Sequence, residues 1–285
     1  MRKPTIAIVG PGNLGSAMAR ALHAAGYRVE EIVHRGGASG RRARTLARAV
    51  GTRAVELEDA KFSADMVWIC VSDGAIGACA GELAKTGKWA GKIALHCSGA
   101  LSSWELKSLK QRGAAVGSIH PMMTFVRNVR PELRGVTFAI EGDPRAVRAA
   151  RRVAQDLGGR VVVIAARRKP MYHAFGAFTS PLIVATVAAA ERVARKAGLS
   201  EASARAAIGP ILQQTVRNYL ERGKAGAFSG PLVRGDVETV RRHLAVLRAV
   251  PEARDAYAAL ARSALRTLPV KKKKELRELL KPARR

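Results

Sequence analysis

Short runs of β-branched residues alternate with segments of helical periodicity from residue 5 to about residue 164. This alternation is typical of a parallel sheet whose strands are joined by crossover helices. We predict eight strands, at residues 5–9, 29–34, 53–55, 66–71, 92–97, 115–119, 136–140 and 160–164. The intervening helices are predicted at residues 14–25, 41–50, 73–85, 102–111 and 144–157.

The strand pattern ends after residue 164, and helical patterns follow at residues 170–197, 201–221, 237–250 and 252–268, with a short basic helix in the tail. The first of these segments contains Gly176 and Pro181, so we expect a kink in it. The sequence therefore predicts an α/β chain with an N-terminal parallel-sheet domain at residues 1–165. An all-helical C-terminal domain is predicted at residues 166–285.

A glycine-rich loop joins the first predicted strand to the first helix. Gly10 suits a tight turn, Gly12 lets the backbone approach a pyrophosphate, and Gly15 lets the helix lie close to the strand. Asn13 and Leu14 begin the helix, whose N-terminus attracts anions. Because the loop lies inside a β-α-β unit, we predict a Rossmann-type domain that binds a dinucleotide here.

The end of the second strand bears on the choice between NAD and NADP. An NAD-binding domain usually carries an acidic residue there for the ribose hydroxyls. Glu30 and Glu31 fall too early for this role, and His34 and Arg35 occupy the position instead. Since both side chains suit a 2′-phosphate, we predict NADP, with NAD as the less favoured cofactor.

The fourth strand ends at Val71, Ser72 and Asp73. Ligands of such sheets bind beyond the carboxyl ends of the strands, so this turn should line the cofactor. For Asp73, capping the next helix is an equally good explanation.

Candidate catalytic residues follow the fifth and sixth strands. Ser98 and His120 fall at the edge where a nicotinamide would lie. His96 lies inside its strand, where a hydrogen-bonded core histidine is the alternative. Cys97 and His96 point to opposite faces of a strand, which argues against a thiolate–imidazole pair.

The helical domain begins with Lys169 and, four residues later, His173. Side chains at this spacing share one helix face, and either could donate a proton to a carbonyl oxygen. The alternative is a surface lysine beside a histidine with a structural role. Pro170 leaves the direction of the Lys169 side chain open.

A tight loop further along the chain carries Arg234 and Asp236. The Arg234 guanidinium could bind a substrate carboxylate. Asp236 is a candidate for the same site, although capping the helix that follows explains it equally well.

Of the 285 residues, 48% are hydrophobic and 25% charged, as in a soluble globular protein. The net charge is +28, but the basic residues are scattered without interleaved aromatic residues, which argues against nucleic-acid binding. The tail at residues 271–285 holds the one basic block. We expect no signal peptide and no membrane span, the best apolar run being residues 179–190. Three cysteines without CxxC spacing predict no metal site and favour reduced thiols in the cytoplasm.

Four motifs together resemble those of the Rossmann-like oxidoreductases that carry a DUF2520 C-terminal domain. They occupy residues 96–103, 117–125, 169–173 and 230–244. The family resembles ketopantoate reductases, pyrroline-5-carboxylate reductases and β-hydroxyacid dehydrogenases in layout. The resemblance implies a nicotinamide-dependent oxidoreductase, places Lys169 and His173 where a lysine and a second polar residue face the nicotinamide, and implies a homodimer. One departure is Ser180-Pro181, where relatives often have Ser-Asn.

These observations predict a cytoplasmic NADP-dependent reductase of a small carbonyl substrate bearing a carboxylate, with a 2-keto acid such as ketopantoate favoured. Lys169 or His173 would donate the proton, while Ser98, His120 and Arg234 orient the substrate. Three alternatives remain open: an imine reductase of the pyrroline-5-carboxylate type, an NADP-binding redox sensor without catalysis, and a nucleic-acid binder.

Overall fold

The computed structural model describes residues 2–281, and eight strands form one sheet in the order β3-β2-β1-β4-β5-β6-β7-β8. The strands are β1 Ile6–Val9, β2 Val29–His34, β3 Arg53–Glu56, β4 Met66–Ile69, β5 Ile93–His96, β6 Ala115–Pro121, β7 Thr137–Gly142 and β8 Arg160–Val163. The eight predicted strands are confirmed, with ends that differ by a few residues.

Twelve α-helices lie in the described part of the chain: α1 Asn13–Ala24, α2 Gly37–Ala49, α3 Ile76–Leu83, α4 Lys107–Gln111, α5 Pro144–Asp156, α6 Lys169–Thr179, α7 Pro181–Lys196, α8 Glu201–Ala227, α9 Pro231–Arg234, α10 Val237–Val246, α11 Pro251–Thr267 and α12 Lys273–Leu279. The predicted kink is a break at Ser180, whose φ of −137° and ψ of −85° are not helical. The tail helix is α12. Residues 282–285 of the basic block lie outside the described residues.

The sheet is parallel through β6, but β7 pairs antiparallel to β6 and β8 runs parallel to β7. A parallel crossover needs a dozen or more residues, usually with a helix, to carry the chain back across the sheet. The segment between β6 and β7 contains no helix, so the chain returns directly beside β6. This reversal places Glu141 of β7 opposite Ser118 of β6.

The central strands β1, β4 and β5 are buried on both faces, as their apolar runs require, whereas the edge strands β3 and β8 are partly exposed. One core forms under α1, α2 and α5, and includes Met18, Leu22, Trp68 and Val153. The opposite core forms under α3 and α4. Since helices cover the central strands on both sides, a polar ligand is expected to bind at the carboxyl-terminal edge of the sheet.

The chain divides into two compact units, residues 1–177 and 178–285. The division falls inside α6, whereas the sequence pattern changes at residues 165–166. The first unit therefore holds Lys169 and His173 together with the sheet. The second unit is helical, with a core between α10, α11 and α12 that includes Val240, Leu265 and Leu276.

One segment, Ala166–Lys196, contains an 18-residue window with a mean hydropathy of 1.4, none of it buried. By length and composition it could cross a membrane, so the expectation that no segment qualifies is wrong. Residues 170–190 contain no Asp, Glu, Lys or Arg, a longer charge-free run than the one considered. A single such segment is weak evidence for a span, and this one is broken at Ser180.

Candidate active site

The glycine loop has the geometry of a diphosphate cradle. Gly10 has a φ of +96° and its amide donates to the carbonyl oxygen of Val33 at 3.0 Å. A Cβ atom on Gly15 would lie 2.1 Å from the carbonyl oxygen of Gly10, so helix and loop are in direct contact there. A Cβ on Gly12 would meet nothing within 4 Å. Gly12 therefore borders open space where α1 begins and its first N–H groups are available to an anion.

The two glycines should respond differently to substitution. Gly15→Ala forces α1 away from the loop, and we expect it to lower the free energy of unfolding by about 1–3 kcal/mol and to abolish dinucleotide binding. Gly12→Ala has room for its methyl group and a φ of −70°, so stability should change little while the methyl group obstructs the diphosphate. Urea denaturation and titration with NADPH measure both effects. Equal stability losses in the two variants would contradict this geometry.

A cavity of about 250 Å³ lies beside the cradle and is lined by half of the predicted cofactor residues. Gly10, His34, Arg35, Val71 and Ser72 line it. The His34 side chain is buried, and its Nδ1 accepts a hydrogen bond from the Gly36 amide at 2.9 Å. His34 thus shapes the loop, whereas Arg35 is exposed and free to meet an anion.

An acidic residue near this loop was not identified from the sequence. Glu56 ends β3 opposite His34, and its Oε1 would lie 3.5 Å from a Cβ on Gly36. Its carboxylate comes from the neighbouring strand, so the usual spacing along one strand gives no signal. Glu56 is a candidate for the ribose contact that favours NAD.

The remaining predicted cofactor residues make structural contacts. The Asn13 side-chain amide donates to the carbonyl oxygen of Phe125 at 3.1 Å, which ties the segment after β6 to the start of α1. Leu14 packs against the core. Asp73 lies in a 3₁₀ turn before α3 and accepts a hydrogen bond from the Ser98 hydroxyl at 2.8 Å, so its side chain does not cap α3.

The Ser98 hydroxyl donates one hydrogen bond and accepts two. It donates to Asp73 and accepts from the amides of Ala100 and Leu101 at 3.2 and 2.9 Å. Only 5% of the residue is exposed. Ser98 therefore organises the turn after β5, and its carbonyl oxygen holds the lysine described next.

Lys169 is 1% exposed and lies at the carboxyl ends of β5 and β6. Its Nζ donates to the carbonyl oxygen of Ser98 at 2.8 Å and to the hydroxyl of Ser118, and lies 3.8 Å from Oε1 of Glu141. Burial lowers the pKa of Lys169 to about 8, against the opposing effect of the Glu141 carboxylate. Three oxygens thus surround the ammonium group, so Lys169 is not the surface lysine of the alternative interpretation.

Glu141 is the second site residue that the sequence did not reveal. Its carboxylate is 6% exposed and accepts from the amide and the hydroxyl of Ser103 at 2.7 and 2.9 Å. These hydrogen bonds compensate much of the cost of burying the charge. The antiparallel turn of β7 brings Glu141 here.

Two imidazoles flank Gly99 on the outer side of this cluster. The rings of His120 and His173 stand edge to face with centroids 6.1 Å apart, and a Cβ on Gly99 would lie 2.8 Å from both. Burial and the nearby charge of Lys169 lower the pKa of His120 to about 4. His120 is therefore neutral at pH 7, with its Nδ1 buried and unpaired among the described residues. His173 is exposed.

His96 and Cys97 are core residues. His96 is wholly buried, its Nδ1 accepts from the Ser98 amide at 3.1 Å, and burial lowers its pKa to about 3. Cys97 lies 3.8 Å from Cys70, sulfur to sulfur, and the hydrogen bond between the two thiols, together with their burial, raises the pKa of Cys70. A thiolate nucleophile has no support here.

The two predicted substrate residues lie in the second unit. Asp236 accepts from the amide and hydroxyl of Thr239 at 3.0 and 2.8 Å and so caps α10. Arg234 ends α9 and is exposed. Its role with a carboxylate stays a prediction. Within residues 2–281 no group of three or more His, Cys, Asp or Glu side chains could hold a metal ion.

Two family models match the chain. A Rossmann-like domain matches residues 2–121, and a domain of unknown function, DUF2520, matches residues 136–264. The matches confirm the resemblance drawn from the sequence motifs. No curated protein matches the chain significantly in sequence.

The fold recurs in several solved structures. A protein proposed to be an NADP oxidoreductase from Bacteroides fragilis is 23% identical, with 92% of this chain and 97% of that chain covered and a TM-score of 0.76. The Thermotoga maritima protein TM1727 is 25% identical, with 97% and 98% covered and a TM-score of 0.71. A pyrroline-5-carboxylate reductase from Coxiella burnetii is 14% identical, with 92% and 98% covered and a TM-score of 0.61.

Proposed function

We propose that this Rossmann-like protein with a DUF2520 domain is an NADP-dependent reductase of a small carbonyl compound that bears a carboxylate, with a ketopantoate-like 2-keto acid favoured. One observation carries the proposal. The diphosphate cradle, the buried Lys169 and the His120–His173 pair all lie at the carboxyl-terminal edge of one sheet, within one compact unit. Dinucleotides bind at this edge of such sheets, and a substrate must meet the nicotinamide there.

The residues present fit a dinucleotide. The open face of Gly12 and the start of α1 suit the diphosphate, and the cavity that Val71 and Arg35 line suits an adenosine. The nicotinamide, when bound, supplies the hydride, and the protein supplies position and charge.

The charges of the site favour a carbonyl substrate. Lys169 is largely cationic at pH 7, and the imidazole of His120 is neutral. Glu141 balances the charge of Lys169, so the pair acts as a fixed dipole, and in this proposal its ammonium end stabilises the negative charge that grows on a carbonyl oxygen as hydride reaches carbon.

His173 is the better proton donor of the two residues that the sequence left open. The Lys169 ammonium is enclosed by three oxygens, whereas His173 is exposed beside Gly99. A histidine can donate near neutral pH. In this proposal Lys169 supplies fixed charge, and His120 packs against His173 and orients the substrate.

Imine reduction is the second candidate. The shared fold with a pyrroline-5-carboxylate reductase supports it. A protonated imine needs no proton donor when hydride arrives, so the neutral imidazole of His120 would not hinder the reaction. The cationic Lys169 weighs against it, because a like charge at the site repels an iminium ion.

The proposal is tested by NADPH oxidation, followed optically with a panel of 2-keto acids that includes ketopantoate, and with pyrroline-5-carboxylate as the cyclic imine. Turnover of a 2-keto acid supports the carbonyl reductase. Turnover of the imine alone would replace it with the second candidate. Tight NADPH binding without turnover of any member would favour the redox sensor instead.

Cofactor preference depends on one exposed side chain. Arg35→Gln should weaken NADPH binding by about tenfold, because a charge-assisted hydrogen bond to the 2′-phosphate is lost, and leave NADH binding unchanged. Fluorescence titration with both nucleotides measures this, with Arg28→Gln as an exposed control. If Glu56→Gln weakened NADH binding and Arg35→Gln left NADPH binding intact, the protein would prefer NAD.

We also propose a cytoplasmic homodimer formed through the second unit. Apolar side chains of α7 and α8 are exposed in the single chain, among them Val184 at 67%, Ile211 at 68% and Leu220 at 77%. Exposed apolar area of this kind marks an association surface. The three cysteines are free, as a reducing compartment requires. A monomer in sedimentation equilibrium at micromolar concentration would contradict the dimer.

A further inference from the structure

A second cavity, of about 610 Å³, borders the glycine loop at Pro11, Gly12 and Asn13 and is otherwise lined by α1, α2 and the segment after β6. Five arginines line it: Arg20 of α1, Arg41 and Arg42 of α2, and Arg127 and Arg130 of the segment. We call it the arginine groove. It is separate from the cavity that holds Arg35, since the two share only Pro11.

The groove has no internal counter-charge. No aspartate or glutamate lines it, and none of its five arginines forms an ion pair within the described residues 2–281. Arginines elsewhere do pair, as Arg152 does with Asp156 and Arg192 with Glu252. Five converging guanidinium groups repel one another, and an anion in the groove would relieve that repulsion.

The fold brings the five arginines together. The arginines come from three separate elements, and the Asn13 side chain holds the third element in place through the carbonyl oxygen of Phe125. Asn128, with a φ of +63°, turns the segment between Arg127 and Arg130. A concave wall of one charge focuses the electrostatic potential, which scattered arginines on convex helix faces do not do.

The Asn128 amide adds a neutral donor to the lining. The hydroxyls of Ser16 and Thr45 also line the groove, but they donate to the carbonyl oxygens of Pro11 and Arg41 at 3.2 and 3.1 Å. Planar guanidinium groups bind phosphate oxygens through paired, charge-assisted hydrogen bonds. The lining holds no aromatic side chain on which a base could stack, and its volume suits a small molecule better than a polynucleotide.

We propose that the arginine groove binds a small phosphorylated anion with several negative charges, at the same time as the dinucleotide occupies its own cradle. The site goes beyond the reductase activity, because it shares only Pro11 with the cavity proposed for the adenosine. Gly12 and Asn13 border the groove as well as the cradle, so an occupant would alter the cofactor's surroundings. The anion is an effector, or the phosphate of a larger ligand, and both present the same chemistry to the groove.

The experiment is a calorimetric titration of inorganic tripolyphosphate into the NADPH-saturated protein at about 0.15 M salt. We expect one site per chain, weakened steeply by added salt. Arg127→Gln with Arg130→Gln should weaken binding by about 100-fold, about tenfold for each charged hydrogen bond lost. Arg41→Gln with Arg42→Gln repeats the test on a helix. Arg148→Gln with Arg151→Gln, on α5, removes the same charge elsewhere and should leave binding unchanged.

Three results would overturn the proposal. If saturating NADPH excludes tripolyphosphate, and Arg127→Gln with Arg130→Gln weakens NADPH but not NADH binding, the groove belongs to the 2′-phosphate. If the α5 control weakens tripolyphosphate as much as the groove variants do, binding reflects net charge alone. If duplex DNA binds the groove and tripolyphosphate does not, the partner is a nucleic acid. None of these readouts depends on turnover, so failure of the reductase proposal is seen separately.

Discussion

Glu141→Gln should lower the free energy of unfolding at pH 7 by about 3–5 kcal/mol, although it changes a single atom of the side chain. The glutamine cannot pair with Lys169, whose ammonium group is 1% exposed and would remain buried without a counter-charge. Removing one partner of a buried ion pair leaves the desolvation cost of the other uncompensated. One of the two hydrogen bonds from Ser103 would also meet an amide NH₂ in place of an oxygen.

A double-mutant cycle with Lys169→Met separates this ion pair from general disruption. Each single variant strands one buried charge, whereas Glu141→Gln with Lys169→Met removes both, so the double variant should be less destabilised than the sum of the singles by about 2 kcal/mol or more. Urea denaturation at pH 7 measures all four proteins. Additive losses would show that the two groups do not interact. Glu105→Gln, with a partly exposed glutamate, is a matched control and should change stability by less than about 0.5 kcal/mol.

The burial of Lys169 should also make the free energy of unfolding depend on pH. Lys169 titrates near pH 8 in the folded protein and at its ordinary pKa of about 10.4 in the unfolded chain. Between these values the unfolded chain binds the additional proton, so stability should rise with pH, by up to about 3 kcal/mol. The difference in unfolding free energy between the wild type and Lys169→Met isolates this contribution. A difference that stays constant from pH 7.5 to 10.5 would contradict the lowered pKa.

The cofactor half of the site could be predicted from the sequence because its contacts are local. Gly10, Gly12 and Gly15 act through backbone geometry within six residues, and the apolar strand before them fixes their place at the sheet edge. The strands were predictable for the same reason, since each is a short apolar run between turn residues.

The catalytic half was not predictable to the same depth, because its contacts are long-range. The Lys169–Glu141 pair depends on β7 turning back beside β6, and nothing in the local pattern distinguishes that pairing from a parallel one. In the same way Glu56 reaches the cofactor loop from a neighbouring strand. Strand order and direction decide both contacts.

The four-residue spacing of Lys169 and His173 predicts a shared helix face but not the burial or the role of each side chain. They share one face of α6, as four residues of separation require, but one is buried and the other exposed. A helical side chain leans toward the N-terminus of its helix, so the first residue of α6 reaches back toward the sheet edge. One turn later His173 lies at the same edge but is exposed, beside Gly99 and the ring of His120. The two residues are therefore expected to have different roles.

His173→Gln should lower kcat by about 10²- to 10⁴-fold while leaving the Kd for NADPH unchanged, if His173 donates the proton to the carbonyl oxygen. Glutamine can still hydrogen-bond a substrate but cannot release a proton, so KM should change far less than kcat. The measurements are steady-state NADPH oxidation with whichever 2-keto acid the panel identifies, and fluorescence titration of the cofactor. His23→Gln, at the exposed end of α1, is the matched control and should keep the wild-type rate.

Lys169→Met separates the two candidate donors, because it removes fixed charge and leaves His173 in place. It should reduce kcat less than His173→Gln does, and removing the nearby ammonium charge should raise the pKa of His120 toward its ordinary value, which NMR titration of the ring would detect. If Lys169→Met abolished turnover while His173→Gln kept a rate near that of the wild type, the lysine would be the donor, despite the three oxygens around it. Imine reduction would give a third pattern, in which neither substitution lowers kcat by as much as tenfold, because an iminium ion already carries the proton that a ketone must receive.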